Sequence, residues 1–263
     1  MNTDRAIEFI RKNGNRFEQA RLDHTLGLGF DPGSVMAGFS QLQNPDGGFP
    51  YADEKGFPSC LSNTTMALHT LLELELVNEK TTKLTIGFFK KMQKDNGTWE
   101  ENEKVKPLNP PFWDMPGDEK TTIWLTADVA DLLQRSGNPV PKKTIDYLAG
   151  LQGPTGRLKG FYHATWIALS VFGRKGHYNR KIWSGALAFL ESEDISDWDA
   201  SCIAWCLDSM KHGGVGKSSK LWDKLKSQLS ATQEQDGGWP SEGGETMRPR
   251  DANSILSALM GID

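Results

Sequence analysis

One short motif, Gln followed by a Gly-containing turn and a large apolar residue, recurs along this 263-residue chain and constrains its fold more than any other feature. Gln43-Asn-Pro-Asp-Gly-Gly-Phe49 and Gln233-Glu-Gln-Asp-Gly-Gly-Trp239 are its clearest copies. Gln93-Lys-Asp-Asn-Gly-Thr-Trp99 is a close third, and Gln152-Gly-Pro-Thr-Gly-Arg-Leu158 a weaker fourth. Self-similarity at a period of roughly 40 to 60 residues is the mark of a helical-repeat, solenoid or propeller architecture. The Asp-Gly and Asn-Gly pairs permit the positive φ that a sharp reversal needs, and the closing aromatic is suited to covering a joint between helices. Asp46, Asp95 and Asp236 are therefore read as turn-formers rather than catalytic groups.

The segments flanking the turns have helical periodicity. Those after them open with small residues and turn apolar: Asn63-Thr-Thr-Met-Ala-Leu, Leu125-Thr-Ala-Asp-Val-Ala, His163-Ala-Thr-Trp-Ile-Ala, Asp199-Ala-Ser-Cys-Ile-Ala and Asp251-Ala-Asn-Ser-Ile-Leu. Small side chains at these positions let inner helices approach closely, whereas Lys80 to Gln93 and Val140 to Gln152 alternate apolar and charged faces as outer helices do. With an opening pair near Asp4 to Lys12 and Arg16 to Gly27, the pattern predicts about twelve helices. Six hairpins suffice to close a ring, so the expected fold is all-α, an (α/α)6 toroid forming one domain over residues 1–263. A β-propeller is excluded because each blade would need four strands where two helices are read, and β-branched residues are scattered.

Charge and cysteine content narrow the function classes. The net charge of -4 is spread over interspersed acidic and basic residues, which gives no field suited to nucleic acid. Cys60, Cys202 and Cys206 are too few for a disulfide framework, and the start MNTDRAIEFIRKNG has no apolar signal core, so a cytoplasmic location is expected. No run approaches the roughly 18 to 20 apolar residues that span a bilayer, so a lipid-like ligand is expected to enter the protein itself, with peripheral membrane contact left open.

The Gln-to-aromatic turns, the Lys/Arg and apolar pattern before them, and the Asp-Ala or Thr-Ala helix starts after them resemble the prenyltransferase and squalene oxidase repeat, from about Met36 onward. This is the toroid of terpenoid cyclases and protein prenyltransferase β chains. The resemblance implies a deep apolar central cavity in which isoprenoid chains are cyclised by a protonating carboxylic acid or transferred at a zinc ion. The cyclase acid belongs to an Asp-x-Asp-Asp stretch followed by Thr-Ala. Here the stretch reads Ser196-Asp-Trp-Asp-Ala-Ser201, which puts Asp199 on its final Asp, Trp198 at the proton donor's place, and Asp197 as a displaced substitute. The zinc set of the prenyltransferases is an Asp, a Cys two residues later and a distant His. Asp199 and Cys202 are three apart and Arg250-Asp251-Ala252 stands where the His is expected, so neither metal nor other cofactor is expected. A metal held by Cys202, Cys206 and His212 is the weaker reading beside two buried thiols. A thioester domain would need Cys-x-Glu-Gln, which is lacking.

These considerations single out Asp199, Asp197 and His163 as candidate acid-base groups. Inner-helix starts facing one mouth would gather Asn63, His163, Trp198, Asp199, Arg248, Arg250 and Asp251 into a polar rim, with the two arginines as the partners for a diphosphate. The alternative for Asp199 and Asp251 is plain helix capping. Trp113, Trp124, Trp166, Trp198 and Trp205 offer aromatic faces for cationic intermediates, or simple core packing. The connection from Glu100 to Glu119, with Pro107, Pro110, Pro111 and Pro116 around Phe112-Trp-Asp-Met115, reads as a lid or pocket wall carrying Asp114, with Asp118 also fitting an N-cap. Asp128 and Asp131 lie within an apolar helix and face either a cavity or solvent. Arg21 and His24 share a helix face that is expected at the surface, and His69, His177 and His212 are expected to be structural or exposed. The expected function is a terpenoid-cyclase-like enzyme with an apolar substrate. The alternatives are a non-catalytic toroid binding an apolar ligand or protein, and a prenyltransferase β-like subunit.

Overall fold

The repeated turns work as fasteners between successive helices. In a computed structural model that describes residues 1–174 and 179–261, the Gln43 side-chain amide donates to the Gly47 carbonyl inside its own turn at 2.9 Å. The same amide reaches the Thr81 carbonyl and the Thr85 hydroxyl, both at 3.0 Å. Gln93 repeats this with Gly97 and Thr144, and Gln233 with Gly237 and the Asn2 carbonyl. Gln152, in the weakest copy, keeps the bond to Gly156 at 3.0 Å.

Glycine is required at the turn for two reasons. Gly237 has φ +96°, and a β-carbon built on it would lie 2.2 Å from the Arg5 carbonyl oxygen. Gly47 has φ +93°, and a β-carbon built on it would lie 2.4 Å from the Leu84 carbonyl oxygen. Positive φ and close backbone approach both disfavour any side chain. The closing aromatics Phe49, Trp99 and Trp239 are fully buried, and the two indoles donate to the Phe89 and Leu229 carbonyls.

Twelve α-helices occupy the described residues and fall in chain order into six successive pairs. They are α1 Thr3–Asn13 and α2 Arg16–Thr25; α3 Pro32–Leu42 and α4 Leu61–Glu73; α5 Lys80–Met92 and α6 Glu119–Arg135; α7 Lys142–Gly150 and α8 Tyr162–Gly173; α9 Arg180–Ser192 and α10 Ala200–Gly213; α11 Lys220–Thr232 and α12 Arg248–Met260. Among these residues the strands are β1 Phe49–Pro50 and β2 Ser59–Cys60, a two-residue antiparallel ladder. Side-chain caps start several of the helices: Asn15 and Glu18 form a capping box on α2, Asp118 accepts from the Thr121 amide on α6, and Ser219 from Trp222 on α11. His177 lies outside the described residues.

Two compact units organise these helices. One, Pro32–Ala164, holds α3 to α7 and the start of α8, with a core that includes Leu61, Leu68, Phe89, Trp99, Ile123 and Leu132. The other, Met1–Asp31 with Thr165–Asp263, packs α1 and α2 against α12 around Phe9, Ile10, Leu22, Ile255 and Leu256. Polar ties reinforce that packing. The Asn253 amide donates to the Glu18 carbonyl at 3.0 Å, and the buried Arg21 guanidinium donates to the Ser254 hydroxyl at 2.8 Å and to the Arg250 carbonyl. Arg21, expected at the surface, is thus an internal tie. No turn Gln precedes α10. There the Lys224 ammonium takes over, donating to the carbonyls of Leu190, Glu191 and Glu193 at the end of α9.

Candidate active site

Prolines shape the connection before α6. Phe112–Asp114 forms a single 3-10 turn in which the Asp114 amide donates to the Pro111 carbonyl at 2.9 Å. That turn aims neighbouring side chains in opposite directions: Phe112 and Trp113 are 66% and 49% exposed, while Asp114 is only 9% exposed. Asp118 then caps α6 and so fixes the far end of the loop.

A second carboxylate awaits Asp114 in the same unit. Glu101, 3% exposed, follows directly on the Trp99 turn and accepts the backbone amides of Leu61 (2.8 Å), Ser62 (3.0 Å) and Asn102 (2.7 Å). Leu61 and Ser62 are the first residues of α4, whose preceding residue Cys60 provides no side-chain cap. Glu101 therefore caps α4 from 40 residues downstream.

Asp114 is supplied less generously. It shares a hydrogen bond with Ser62, and its Oδ1 is buried without a partner among the described residues. Burial first, and then the charge of Glu101, push its carboxyl up from 3.8 to about 7, against the opposing effect of Ser62. Burial also raises Glu101, opposed by the three amides. Tyr51 is raised by burial and then by Asp114, Cys60 and Glu101, which brings a phenol into the same group. Cys60 is pushed up by burial and Glu101, and its thiol donates to the Asn63 Oδ1 at 3.1 Å; such a thiol stays protonated and unreactive. Asn63 in turn donates to Asp53 at 3.1 Å.

A row of aromatic rings runs through this unit, beginning at the exposed Trp113 and Phe112. Trp113 meets Phe112 edge-on at 4.9 Å, Phe112 meets Phe161 at 5.8 Å, Phe161 meets His163 at 6.4 Å, and His163 meets the buried Trp124 at 6.2 Å. Trp113, Trp124 and His163 are thus brought together as one row. Edge-to-face rings at these distances present both faces and edges to a ligand.

Asp128 has a different setting. It is 1% exposed, and its Oδ1 lies 2.8 Å from the Nε2 of His69, while the His69 Nδ1 lies 3.2 Å from the Arg135 guanidinium. A guanidinium only donates, so Nδ1 accepts and the ring proton sits on Nε2, facing Asp128. Arg135 also lies 3.6 Å from Asp131. The network ties α4 to α6, which makes His69 structural and keeps Asp128 and Asp131 away from solvent, while the Asp128 Oδ2 is buried without a partner among the described residues.

The remaining candidates belong to the other unit. Asp199 caps α10: its Oδ1 accepts the Cys202 amide at 2.8 Å and its Oδ2 the Glu242 amide at 3.2 Å. Asp197 is exposed. Trp198 packs edge-on against the buried Trp166 at 5.0 Å. Asp251, 7% exposed, is raised by burial, opposed by a hydrogen bond from Ser241, and raised again by the charge of Asp199.

Arg248 does not belong to a rim. It is 7% exposed, donates to the Trp239 carbonyl at 2.9 Å and to Glu245 at 2.8 Å, contacts Glu234 and Asp236, and lies over the Phe9 ring at 4.8 Å. Three carboxylates already neutralise it, so it has little charge to offer a diphosphate. Arg250 is half-buried, and its carbonyl accepts from Arg21. The zinc set of the prenyltransferases does not fit either, because both Asp199 oxygens accept backbone amides and no group of three or more His, Cys, Asp or Glu among the described residues converges as metal ligands. His212 lies 3.3 Å from Asp208 instead. No helix among the described residues is long and apolar enough to cross a membrane.

Sequence reasoning overlooked Glu101 and Tyr51. The available signal was a carboxylate placed two residues after a turn aromatic, at the one point where the chain leaves the repeat spacing.

No family profile and no curated protein matches the chain. Solved structures do. The ligand-free type II terpene cyclase MstE from Scytonema aligns with a TM-score of 0.67 at 13% identity, over 98% of this chain and 96% of that one. A variant of MstE in complex with merosterolic acid A, its product, aligns with a TM-score of 0.67 at 13% identity, over 98% and 94%. A protein from Actinoplanes aligns with a TM-score of 0.67 at 14% identity, over 98% and 97%. At such identities the likeness concerns the fold, and the fold of this chain is the all-α toroid of helical hairpins shared with type II terpene cyclases.

Proposed function

We propose that this chain is a terpenoid-cyclase-like enzyme that uses Asp114 as an acid on an isoprenoid or similar apolar substrate. The observation that carries the reading is a buried carboxyl group, held protonated up to about pH 7, with one oxygen facing no donor. A general acid is most useful when its proton is present at working pH. In the proposed step the Asp114 O–H bond breaks and its proton adds to an alkene carbon or an epoxide oxygen. Asp114 is left as carboxylate and the substrate as a carbocation, which ring closure and later proton loss consume.

Phe161 and the buried Trp124, in the same unit, are the aromatic faces assigned to the cation, with the outward-facing Trp113 as an outer substrate contact and Asn63 and His163 as polar ones. The fold likeness is consistent with this, since MstE variants have been seen with geranylgeranyl dihydroxybenzoate as substrate. Asp114 is preferred to Asp199 because the Asp199 oxygens are engaged by two amides, and to Asp197 because Asp197 is exposed to solvent rather than set in an apolar pocket. Trp166, Trp198 and Asp251 form the corresponding substrate-binding candidates of the second unit, and the whole chain is taken to act as one domain without metal or cofactor.

The test is product analysis after incubation with farnesyl, geranylgeranyl and squalene-type compounds. Conversion that disappears in Asp114→Asn supports the proposal. Loss of conversion in Asp199→Asn but not in Asp114→Asn would return the acid to Asp199, and binding without conversion in the wild type would favour a non-catalytic toroid.

A further inference from the structure

Glu101 and Asp114 are buried carboxyl groups within each other's field, and the chain provides for them unequally. Glu101 accepts three backbone amides, two of them at the start of α4, where the helix dipole favours negative charge. Asp114 has a share in one hydroxyl, that of Ser62, which also serves Glu101, and one bare oxygen. Neighbouring buried carboxylates cannot both ionise cheaply, so the charge settles where donors meet it and the proton settles on the other group. Tyr51 and Cys60 face the same pair, and both are pushed up, so they remain neutral at neutral pH.

We infer that Glu101, clamped on the amides of Leu61, Ser62 and Asn102, is a positioning residue that keeps the proton of the pair on Asp114. The inference rests on Asp114 being the acid of the proposed reaction. The α4 cap then has two roles, because the contact that starts the helix also fixes a negative charge beside the acid. Each time Asp114 gives up its proton it becomes a carboxylate facing a fixed carboxylate, and it regains a proton readily from solvent. At Asp114 itself Ser62 works in the opposite sense, since its hydroxyl favours the Asp114 carboxylate as it does that of Glu101.

The experiment is an infrared titration of the full chain between pH 4 and 9, following the carbonyl stretch of protonated carboxyl groups. Asp114→Asn assigns the band. In an Asp251→Asn background, which removes the other raised aspartate, a band present at pH 6 and lost on adding Asp114→Asn is expected; a band unchanged by that addition shows that Asp114 does not hold the proton and overturns the inference without requiring any Glu101 variant to fold. Glu101→Gln is expected to lower the Asp114 midpoint by at least about one pH unit, tenfold in proton affinity, and Ser62→Ala to raise it. A purely structural cap moves neither midpoint, so an unchanged midpoint in folded Glu101→Gln also overturns it. Product analysis is separate: an Asp114 that titrates as stated in a chain that converts no isoprenoid leaves the pairing intact and removes the cyclase reading.

Discussion

Replacing Asp114 by Asn should make the stability of this protein less dependent on pH, and the structure gives the size and the sign. The carboxyl is 9% exposed and titrates at about 7 when folded, against an ordinary value of 3.8. Below about pH 4 the group is protonated in both states and contributes nothing to the difference. Between 3.8 and 7 the unfolded chain releases its proton while the folded chain keeps it, so folding stability falls by about 1.4 kcal/mol per pH unit. Above 7 both states are ionised and the loss levels off near 4 kcal/mol, the upper end once local relaxation is allowed. Asn does not titrate, and Glu101 is present in both proteins, so the difference between them isolates Asp114 to first order. Urea denaturation of both proteins between pH 4 and 8.5 reads it directly. The wild type should lose roughly 4 kcal/mol relative to Asp114→Asn across that range. Curves that stay parallel to within about 1 kcal/mol, or that diverge in the opposite direction, would refute the assignment of Asp114 as a buried acid.

The other predictions concern the scaffold. Gly237→Ala combines φ +96° with a β-carbon 2.2 Å from the Arg5 carbonyl and should cost about 2 kcal/mol or more, seen as a lowered melting temperature. His69→Ala strips a buried Asp128 of its hydrogen-bond donor and should destabilise the protein by about 3 kcal/mol, with Asp128→Asn milder because it removes the charge as well. Arg248→Ala should lower stability by about 2 kcal/mol through loss of the Trp239 carbonyl bond and the Phe9 packing. It should leave affinity for an isoprenoid diphosphate unchanged in calorimetry, whereas a selective loss of diphosphate binding would restore Arg248 to a rim.

The hairpin count, the turns and several caps were legible because their causes are local. An Asp-Gly pair announces its own φ, and Asp118 and Asp199 lie next to the helices they cap. The Glu101 cap, the His69–Asp128 pair and the arginine ties were not, because the partners lie 40, 59 and up to 233 residues apart with no spacing rule to connect them. Arg248 misled for a related reason. Its position at an inner-helix start suggested a ligand, but its partners, Glu234 and Asp236, belong to the preceding turn, and only their geometry shows the charge to be already satisfied. The resemblance pointed to Ser196 through Ser201 for the acid, and there Asp199 caps α10, whereas the raised carboxyl of Asp114 is in a proline-rich loop that no repeat pattern describes.

The ties between α1–α2 and the late turn and helix carry a consequence for how the chain is made. Asn2 bonds Gln233 and Glu18 bonds Asn253, so the apolar faces of the first two helices find their partner only after more than 200 further residues are synthesised. At about 5 to 20 residues per second that interval is on the order of 10 to 50 s. Throughout it, the faces of α1 and α2 that pack on α12 lack that cover. The sequence distance that makes the folded unit secure is also the period in which a nascent chain is most open to aggregation or to a chaperone.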